Sequence, residues 1–223
     1  MKTFFVTGTD TDAGKTYVSC ALIRLLIDQG LRVSAFKPVA AGAEWLEGQL
    51  KNDDALALLD VINVKRSYDQ VNPVCFETPA SPHLAAKLDN GVCTLSTLES
   101  HYANQPNDAD ACLVEGAGGW LVPVNDEELL STLPVSAGWD VVLVVGMKLG
   151  CLNHALLTAQ QIQADGGQLV GWVANSPSEE MPLYRENVTT LQRMISAPLL
   201  GEVGYRGRFL STPAFDSLRN KLG

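Results

Sequence analysis

The chain has few basic residues, few aromatic residues and no long apolar run. It contains 16 lysines and arginines against 25 aspartates and glutamates, which gives a formal net charge of −9. Nucleic acids and anionic membranes are recognised by clustered lysine and arginine, so we expect neither as a partner. No apolar stretch reaches the roughly 20 residues that cross a bilayer. The sequence therefore predicts no membrane span.

The cysteine pattern is not that of a disulfide framework. The five cysteines are an odd number and form no Cys-x-x-Cys pair, so we expect reduced thiols and a cytoplasmic protein. The first residues lead directly into an apolar strand, which leaves no room for a signal peptide. No linker-like segment or internal repeat divides the chain, and we predict a single domain over residues 1–223.

Strand-like apolar runs alternate with helical spacing along the chain. Runs that are apolar at nearly every position are typical of a parallel sheet covered on both faces. We predict strands at 4–6, 32–36, 110–115, 140–146, 169–175 and 199–203. We predict helices after Gly14, near 52–59, 83–89 and 94–107, after residue 153, near 182–195 and from about 213. The pattern indicates an α/β fold with a doubly wound, mostly parallel sheet of the P-loop NTPase type.

The first strong motif follows the first strand. Gly14, Lys15 and Thr16 lie between that strand and a helical pattern, which is the context of a phosphate-binding loop. Backbone N–H groups and the helix N-terminus there would cradle phosphate oxygens. Lys15 would reach the outer phosphates and the Thr16 hydroxyl would ligate Mg²⁺. The general motif has its first glycine at the position of Thr9, and in this chain that glycine, Gly8, lies one position earlier.

The second strong motif is a buried strand that ends in an acid and a glycine-rich loop. Glu115 is followed by Gly116, Ala117, Gly118 and Gly119. This is the Walker B arrangement, in which the acid faces the metal on the nucleotide phosphates. The glycines allow the backbone to approach a ligand closely. With the phosphate-binding loop, this motif predicts a magnesium–nucleotide site.

Four further features have two interpretations each. Lys37 ends the second strand, which we expect beside the first, so it is either a ligand-binding residue or a lysine at a sheet edge. Asp54, in a first helical turn, is either a cap or a Mg²⁺ ligand. The helix start at 150–153 is either an anion site or an end capped by Asn153. Asn175 either reads adenine through its amide or forms a turn.

Several long strings in one order resemble the dethiobiotin synthetase family from residue 4 to about residue 203. These strings are Val-Thr-Gly-Thr-Asp-Thr at 6–11, Gly-Lys-Thr at 14–16, Lys-Pro-Val at 37–39, Asn-Asp-Asp-Ala-Leu at 52–56, Ser-Pro-His at 81–83, Val-Glu-Gly-Ala-Gly-Gly-Trp at 114–120, Lys-Leu-Gly-Cys-Leu-Asn-His-Ala at 148–155 and Gly-Trp-Val-Ala-Asn at 171–175.

The resemblance implies an ATP-dependent ligase of biotin biosynthesis. ATP, CO₂ and 7,8-diaminononanoate would give dethiobiotin, ADP and phosphate, with Mg²⁺ as cofactor. One amine would become a carbamate, ATP would phosphorylate the carbamate, and the second amine would attack the mixed anhydride. The family also implies a homodimer, in which the helix start at 150–153 of the partner subunit binds the substrate carboxylate.

The resemblance also implies roles for individual residues. Lys37, Lys15 and Thr11 would be catalytic, and Thr16, Asp54 and Glu115 would surround Mg²⁺. ATP would contact Asp12, Ala13, Gly14, Lys15, Thr16, Tyr17, Asp54, Glu115, Gly116, Ala117, Gly118, Asn175, Ser176, Gly204, Tyr205 and Arg206. The substrate would contact Thr11, Lys37, Ala41, Gly150, Cys151, Leu152 and Asn153.

Three positions depart from the family pattern, and two other functions compete. Ala41 stands where serine is common, Asp12 where glutamate is frequent, and Gly204 where proline is common. Ala41 is compatible with a paralogue that acts on another diamine or is inactive. A switch ATPase of the septum-positioning or plasmid-partitioning kind would share the fold, but such proteins carry a lysine where this chain has Asp10.

Overall fold

The computed structural model describes residues 1–179 and 181–215. Its strands are β1 (Lys2–Gly8), β2 (Val33–Phe36), β3 (Val39–Ala40), β4 (Glu44–Leu46), β5 (Gln49–Lys51), β6 (Val74–Cys75), β7 (Ala111–Glu115), β8 (Asp140–Gly146), β9 (Gln168–Asn175), β10 (Leu199–Val203) and β11 (Phe209–Ser211). Its helices are α1 (Lys15–Ile27), α2 (Asp53–Val61), α3 (Tyr68–Val71), α4 (Pro82–Leu88), α5 (Leu95–Ala103), α6 (Thr132–Ser136), α7 (Cys151–Ala164) and α8 (Tyr184–Met194). A 3₁₀ turn, Thr11–Ala13, joins β1 to α1.

The main sheet has the order β11-β10-β9-β8-β1-β7-β2. Every pairing in it is parallel except that of β10 with β11, which is antiparallel and ends the sheet. The predicted mostly parallel, doubly wound sheet is confirmed. The expectation that the second strand lies beside the first is wrong, because β7 lies between β1 and β2.

The central strands are apolar because the sheet is covered on both faces. All residues of β7 and β8 are buried. On one face, alternate residues such as Phe4 and Val6 pack with residues of α1 and α2. On the other face, Phe5 packs with residues of α5 and α6. Helices α7 and α8 pack against the β8 and β9 side of the sheet.

The ends of two helices explain how the chain presents polar groups at the carboxyl edge of the sheet. The Asn52 side chain caps α2 by accepting from Asp54 N at 3.1 Å and Ala55 N at 3.4 Å. Helix α7 begins after Gly150, which has φ of 94°, and no side chain in the described part of the chain caps this end. Asn153 lies inside α7, so the interpretation of Asn153 as its cap is wrong.

The remaining elements differ from the prediction mainly at their ends. The helices α3 and α6, the parallel pair β3–β6, the hairpin β4–β5 and strand β11 were not predicted. The helix predicted from about residue 213 lies largely outside the described residues. Within residues 1–179 and 181–215, no helix is long and apolar enough to cross a bilayer.

Candidate active site

The loop between β1 and α1 has a conformation that only glycine fits at one position. Gly14 has φ of 86°, and a Cβ atom there would lie 2.2 Å from the Asn175 Nδ2 atom. That amide nitrogen donates to the carbonyl oxygen of Ala13 at 2.7 Å, which ties the end of β9 to the loop. No side chain within the described residues caps the start of α1. The first N–H groups of α1 therefore suit a phosphate.

Replacing Gly14 by alanine is expected to weaken nucleotide binding and folding together. Alanine would have to adopt the left-handed conformation of Gly14, which costs about 1–2 kcal/mol for a residue with a Cβ atom. The Cβ atom would also displace the Asn175 amide. We expect at least about a tenfold loss of ADP affinity, measured by calorimetry. Gly30→Ala is the matched control, because Gly30 has φ of 84° but open space around its Cβ position. Equal ADP affinity in the two variants would contradict the assignment of Gly14.

Four elements bring charged side chains together at the carboxyl edge of the sheet. Lys37 follows β2, is 3% exposed, and has its Nζ atom 2.8 Å from Glu115 Oε1 and 3.2 Å from Asp54 Oδ2. The Thr16 hydroxyl of α1 donates to the same Glu115 oxygen at 2.9 Å. The interpretation of Lys37 as a solvent-exposed lysine at a sheet edge is wrong, because its ammonium is buried between two carboxylates.

The protonation states in this cluster follow from burial and mutual attraction. Burial pulls the pKa of Lys37 down, but the attraction of Glu115 and Asp54 outweighs it, and the pKa is raised. For Lys15, burial is the largest influence and its pKa is lowered, although Glu115 opposes the change. Burial raises the pKa of Asp54, but Lys37 and a hydrogen bond from Thr16 outweigh it, so the pKa is lowered. Lys37 is thus a protonated cation beside an ionised Asp54 at neutral pH.

The donor set at this edge fits Mg²⁺. Thr16, Asp54 and Glu115 offer a hydroxyl and two carboxylates, which are the oxygen ligands that Mg²⁺ takes together with nucleotide phosphates and water. The Oε2 atom of the fully buried Glu115 has no hydrogen-bond partner among the described residues. A buried carboxylate oxygen without a partner is costly unless a ligand satisfies it. Since Asn52 caps α2, Asp54 itself is not needed as a cap.

Many of the site residues predicted from the sequence line one of two separate cavities. The larger, of about 570 Å³, is lined by Thr11, Lys15, Lys37, Ala41, Asp54, Ala117 and Gly118, with other residues. The smaller, of about 270 Å³, is lined by Gly14, Tyr17, Asn175, Ser176, Gly204, Tyr205 and Arg206, with other residues. The phosphate-binding loop therefore separates a cavity with cationic walls from a cleft on the other side of the loop.

Some predicted residues lie outside both cavities. Asp12 is exposed and Ala13 is buried, and neither lines a cavity. A Cβ at Gly116 would lie 2.9 Å from the Phe5 ring, so this glycine is required for packing. The stretch Gly150, Cys151, Leu152 and Asn153 lines neither cavity, although Lys148 next to it forms an ion pair with Asp10 at 2.8 Å.

The larger cavity is also lined by residues for which the sequence predicted no role in the site. They are Pro79, Ser81 and Pro82 before and at the start of α4, and the apolar residues Val39, Leu121 and Val122. Ser81 and Pro82 belong to the Ser-Pro-His string and Val39 to the Lys-Pro-Val string of the family resemblance, but these strings did not indicate what the residues face. The cavity thus combines a cationic end with apolar walls, as suits an aliphatic molecule that carries polar groups.

Solved structures of other proteins share the fold. The signal recognition particle receptor FtsY from Elizabethkingia anophelis, in complex with GDP, superposes with a TM-score of 0.56 at 15% identity, covering 99% of this chain and 63% of FtsY. The septum site-determining protein MinD from Pyrococcus horikoshii, in complex with Mg-ADP, gives a TM-score of 0.52 at 15% identity, covering 99% of this chain and 86% of MinD. At such low identity these similarities concern the fold alone.

Sequence relatives are much closer. A family model described as "AAA domain" matches residues 2–209. The ATP-dependent dethiobiotin synthetase BioD of Aliivibrio fischeri (strain MJ11) is 45% identical over 222 residues, covering 96% of this chain and 98% of the relative. The protein of the same name from Vibrio parahaemolyticus is 48% identical over 202 residues, covering 91% and 89%. The chain therefore belongs to the ATP-dependent dethiobiotin synthetase family, as its motifs predicted.

Proposed function

We propose that the protein is an ATP-dependent dethiobiotin synthetase. It joins CO₂ to 7,8-diaminononanoate and closes the cyclic urea, with ATP converted to ADP and phosphate. The observation that carries the proposal is the buried ammonium of Lys37, which lines the larger cavity and pairs with Glu115 and Asp54 next to the phosphate-binding loop. Phosphoryl transfer to a carbamate concentrates negative charge on the reacting groups, and a cation next to them stabilises that charge.

The reaction has three bond-forming steps. An amine of the diamine attacks CO₂ and loses a proton, which gives a carbamate. A carbamate oxygen then attacks the γ-phosphorus of ATP and expels ADP, which gives a carbamic-phosphoric anhydride. The second amine attacks the carbonyl carbon, loses a proton and expels phosphate, so that the ring closes. The protein contributes mainly the positioning of these groups and the neutralisation of their charge.

The catalytic side chains have distinct tasks in this scheme. Lys37 holds the carbamate and the transferring phosphoryl group. Lys15, whose Nζ atom lies 3.1 Å from the Thr11 carbonyl oxygen at the start of the loop, binds the outer phosphates. The Thr11 hydroxyl contacts the carbamate side of the larger cavity. Ala41 lies in the same wall without a hydroxyl group, so the backbone must supply any hydrogen bond there.

Thr16, Asp54 and Glu115 would hold Mg²⁺, for which the unpartnered Glu115 oxygen provides a ligand. When bound, Mg²⁺ neutralises charge on the β- and γ-phosphates. The loop residues from Asp12 to Tyr17 surround the phosphates, with Gly116, Ala117 and Gly118 nearby. In the smaller cleft, Asn175 and Ser176 with the loop 204–206 hold adenine. One N–H of the Asn175 side-chain amide already donates to the Ala13 carbonyl oxygen, which leaves the other N–H of that amide and its Oδ1 atom for the base.

We assign the start of α7 to a homodimer. Gly150, Cys151, Leu152 and Asn153 line neither of the two cavities described above, while Leu149 beside them is 95% exposed. An uncapped helix start binds a carboxylate well, so in a dimer these residues take the substrate carboxylate of the partner subunit. We also propose one catalytic domain over residues 1–223, acting in the cytoplasm. The five cysteines are free in the structure, as a reducing compartment favours.

The decisive experiment measures ADP release by the purified protein with Mg-ATP and bicarbonate, with and without 7,8-diaminononanoate. We expect ADP release to depend on the diamine and a product with the mass of dethiobiotin to form in equal amount. ADP binding without diamine-dependent turnover would contradict the proposal. Turnover with a different diamine alone would identify the paralogue that Ala41 allows.

A further inference from the structure

Tyr68, the first residue of α3, connects two elements of the proposed active site through one hydroxyl group. The side chain is buried. Its oxygen accepts a hydrogen bond from the backbone N–H of Asn52 at 2.7 Å and donates to Asn72 Oδ1 at 2.9 Å. The Cys75 sulfur also lies 3.6 Å from this oxygen. A buried hydroxyl with partners on two separate segments holds them in one arrangement.

One side of this connection holds the backbone of Lys37. The Asn72 amide that accepts from Tyr68 donates through Nδ2 to the carbonyl oxygen of Lys37 at 2.8 Å. The backbone N–H of Lys37 donates to the carbonyl oxygen of Val71 at 2.7 Å. Both polar main-chain groups of Lys37 are thus bound to the end of α3 and the residue that follows it.

The other side of the connection holds the start of α2. Asn52, whose backbone N–H is bonded to Tyr68, is the residue that caps α2 through its own side chain. Its Oδ1 atom accepts from the backbone N–H of Asp54 at 3.1 Å. Its Nδ2 atom donates to the carbonyl oxygen of Ala41, in the wall of the larger cavity, at 3.3 Å. Asn52 therefore fixes the position of the Asp54 backbone, from which the Asp54 side chain extends.

The two sides meet again at the ion pair between Lys37 Nζ and Asp54 Oδ2, 3.2 Å apart. We infer that Tyr68 is a positioning residue that sets the placement of Lys37 relative to Asp54, and through them the geometry of phosphoryl transfer. This inference rests on the proposed function. Tyr68 lines neither of the two cavities described above, so it acts through Asn52 and Asn72 and not through the substrate.

Tyr68→Phe is the test, because it keeps the ring and removes only the hydroxyl. The backbone N–H of Asn52 and the side-chain oxygen of Asn72 then lose their partner. A small displacement of a reacting group can lower a rate by up to about a hundredfold. We expect kcat to fall about tenfold, while KM for Mg-ATP stays within about twofold, since the phosphate-binding loop is unchanged.

Tyr102→Phe is the matched control. Its hydroxyl also makes a partly buried hydrogen bond, to Thr3 Oγ1 at 2.5 Å. Thr3 lies near the beginning of β1, at the opposite edge of the sheet from the proposed active site. Both variants are assayed well below their unfolding temperatures. We expect Tyr102→Phe to lower the unfolding temperature in the same direction as Tyr68→Phe and to leave kcat within about twofold of the original.

The outcomes separate positioning from stability. A fall in kcat for Tyr68→Phe alone, with KM kept, supports the inference, whereas an unchanged kcat or an equal fall in both variants overturns it. If the original protein shows no diamine-dependent turnover, the proposed function fails and crystal structures of Tyr68→Phe and the original protein decide. A lengthened distance between Lys37 Nζ and Asp54 then supports the positioning role, and an unchanged distance overturns it.

Discussion

Lys37→Met is expected to lower the rate of dethiobiotin formation by about 10²–10³-fold, because removal of one preorganised charge-stabilising donor has this effect in other enzymes. Methionine matches the length and apolar stem of lysine but has no ammonium. In this chain the Lys37 side chain is buried and lines the larger cavity. The measurement is kcat for diamine-dependent ADP release. ADP affinity should change far less, because Lys15 and the phosphate-binding loop remain.

The control for this variant is Lys2→Met. Lys2 also forms an ion pair at 2.8 Å, with Asp140, but its side chain is 46% exposed and it lies at the beginning of β1. We expect its kcat to stay within about twofold, since exposed ion pairs contribute little. A kcat for Lys37→Met close to that of Lys2→Met would show that the buried ammonium does not stabilise the reacting groups.

The local motifs were predictable because each depends on neighbouring residues. A strand, a tight turn at Gly14 and a helix that starts at Lys15 present backbone N–H groups in one direction whatever the rest of the chain does. Glu115, which ends a buried strand and is followed by a glycine-rich loop, is likewise recognised from its neighbours in the sequence. For these reasons the phosphate-binding loop and Glu115 could be identified without knowledge of the sheet order.

The order of the strands was not predictable in the same way. Consecutive strands are neighbours often but not always, and here the chain returns after α5 to insert β7 between β1 and β2. This insertion has a chemical consequence. Because Phe36 pairs with Val114 in the parallel register, the next residues, Lys37 and Glu115, lie side by side at the carboxyl ends of β2 and β7. The ion pair is therefore a product of the sheet topology, between residues 78 positions apart.

The hydrogen bonds of the Tyr68 hydroxyl could not be predicted from the sequence either. Tyr68 begins the four-residue helix α3, and its partners Asn52 and Asn72 are cap residues of two different helices, α2 and α3. Each of these residue types is common in turns and caps for local reasons. Only the folded chain shows that one hydroxyl serves both segments.

Glu115→Gln is expected to destabilise the protein by up to about 3–5 kcal/mol, the cost of leaving a buried charge without its partner, because only Asp54 then remains beside Lys37. Glu115 is fully buried and is the closest carboxylate to Lys37, at 2.8 Å. It also attracts the buried ammonium of Lys15. Glutamine keeps the size of the side chain and removes its charge. The measurement is the free energy of unfolding in urea without nucleotide. Lys37→Met with Glu115→Gln should be less destabilised than the sum of the single variants.

The destabilisation caused by Glu115→Gln is expected to depend on pH through the pKa of Lys37. The pKa of Lys37 is raised in the folded protein because Glu115 and Asp54 outweigh burial. Its contribution to stability is therefore fully present below the unfolded pKa of lysine, about 10.4, and is lost as the pH rises from there through the folded pKa. Without Glu115, burial is less opposed and the folded pKa of Lys37 falls. If it falls below the unfolded value, the unfolded state binds the proton more tightly and stability rises with pH. In that case the deficit of Glu115→Gln shrinks as the pH rises toward the unfolded pKa of lysine, about 10.4.

Glu47→Gln is the control for charge removal at an exposed position. Glu47 pairs with Lys51 at 3.0 Å, but its side chain is 88% exposed. We expect its unfolding midpoint to match that of the original protein at every pH between 7 and 10, since solvent screens such a pair. If Glu115→Gln behaved like Glu47→Gln, the carboxylate would not be compensating the buried lysines.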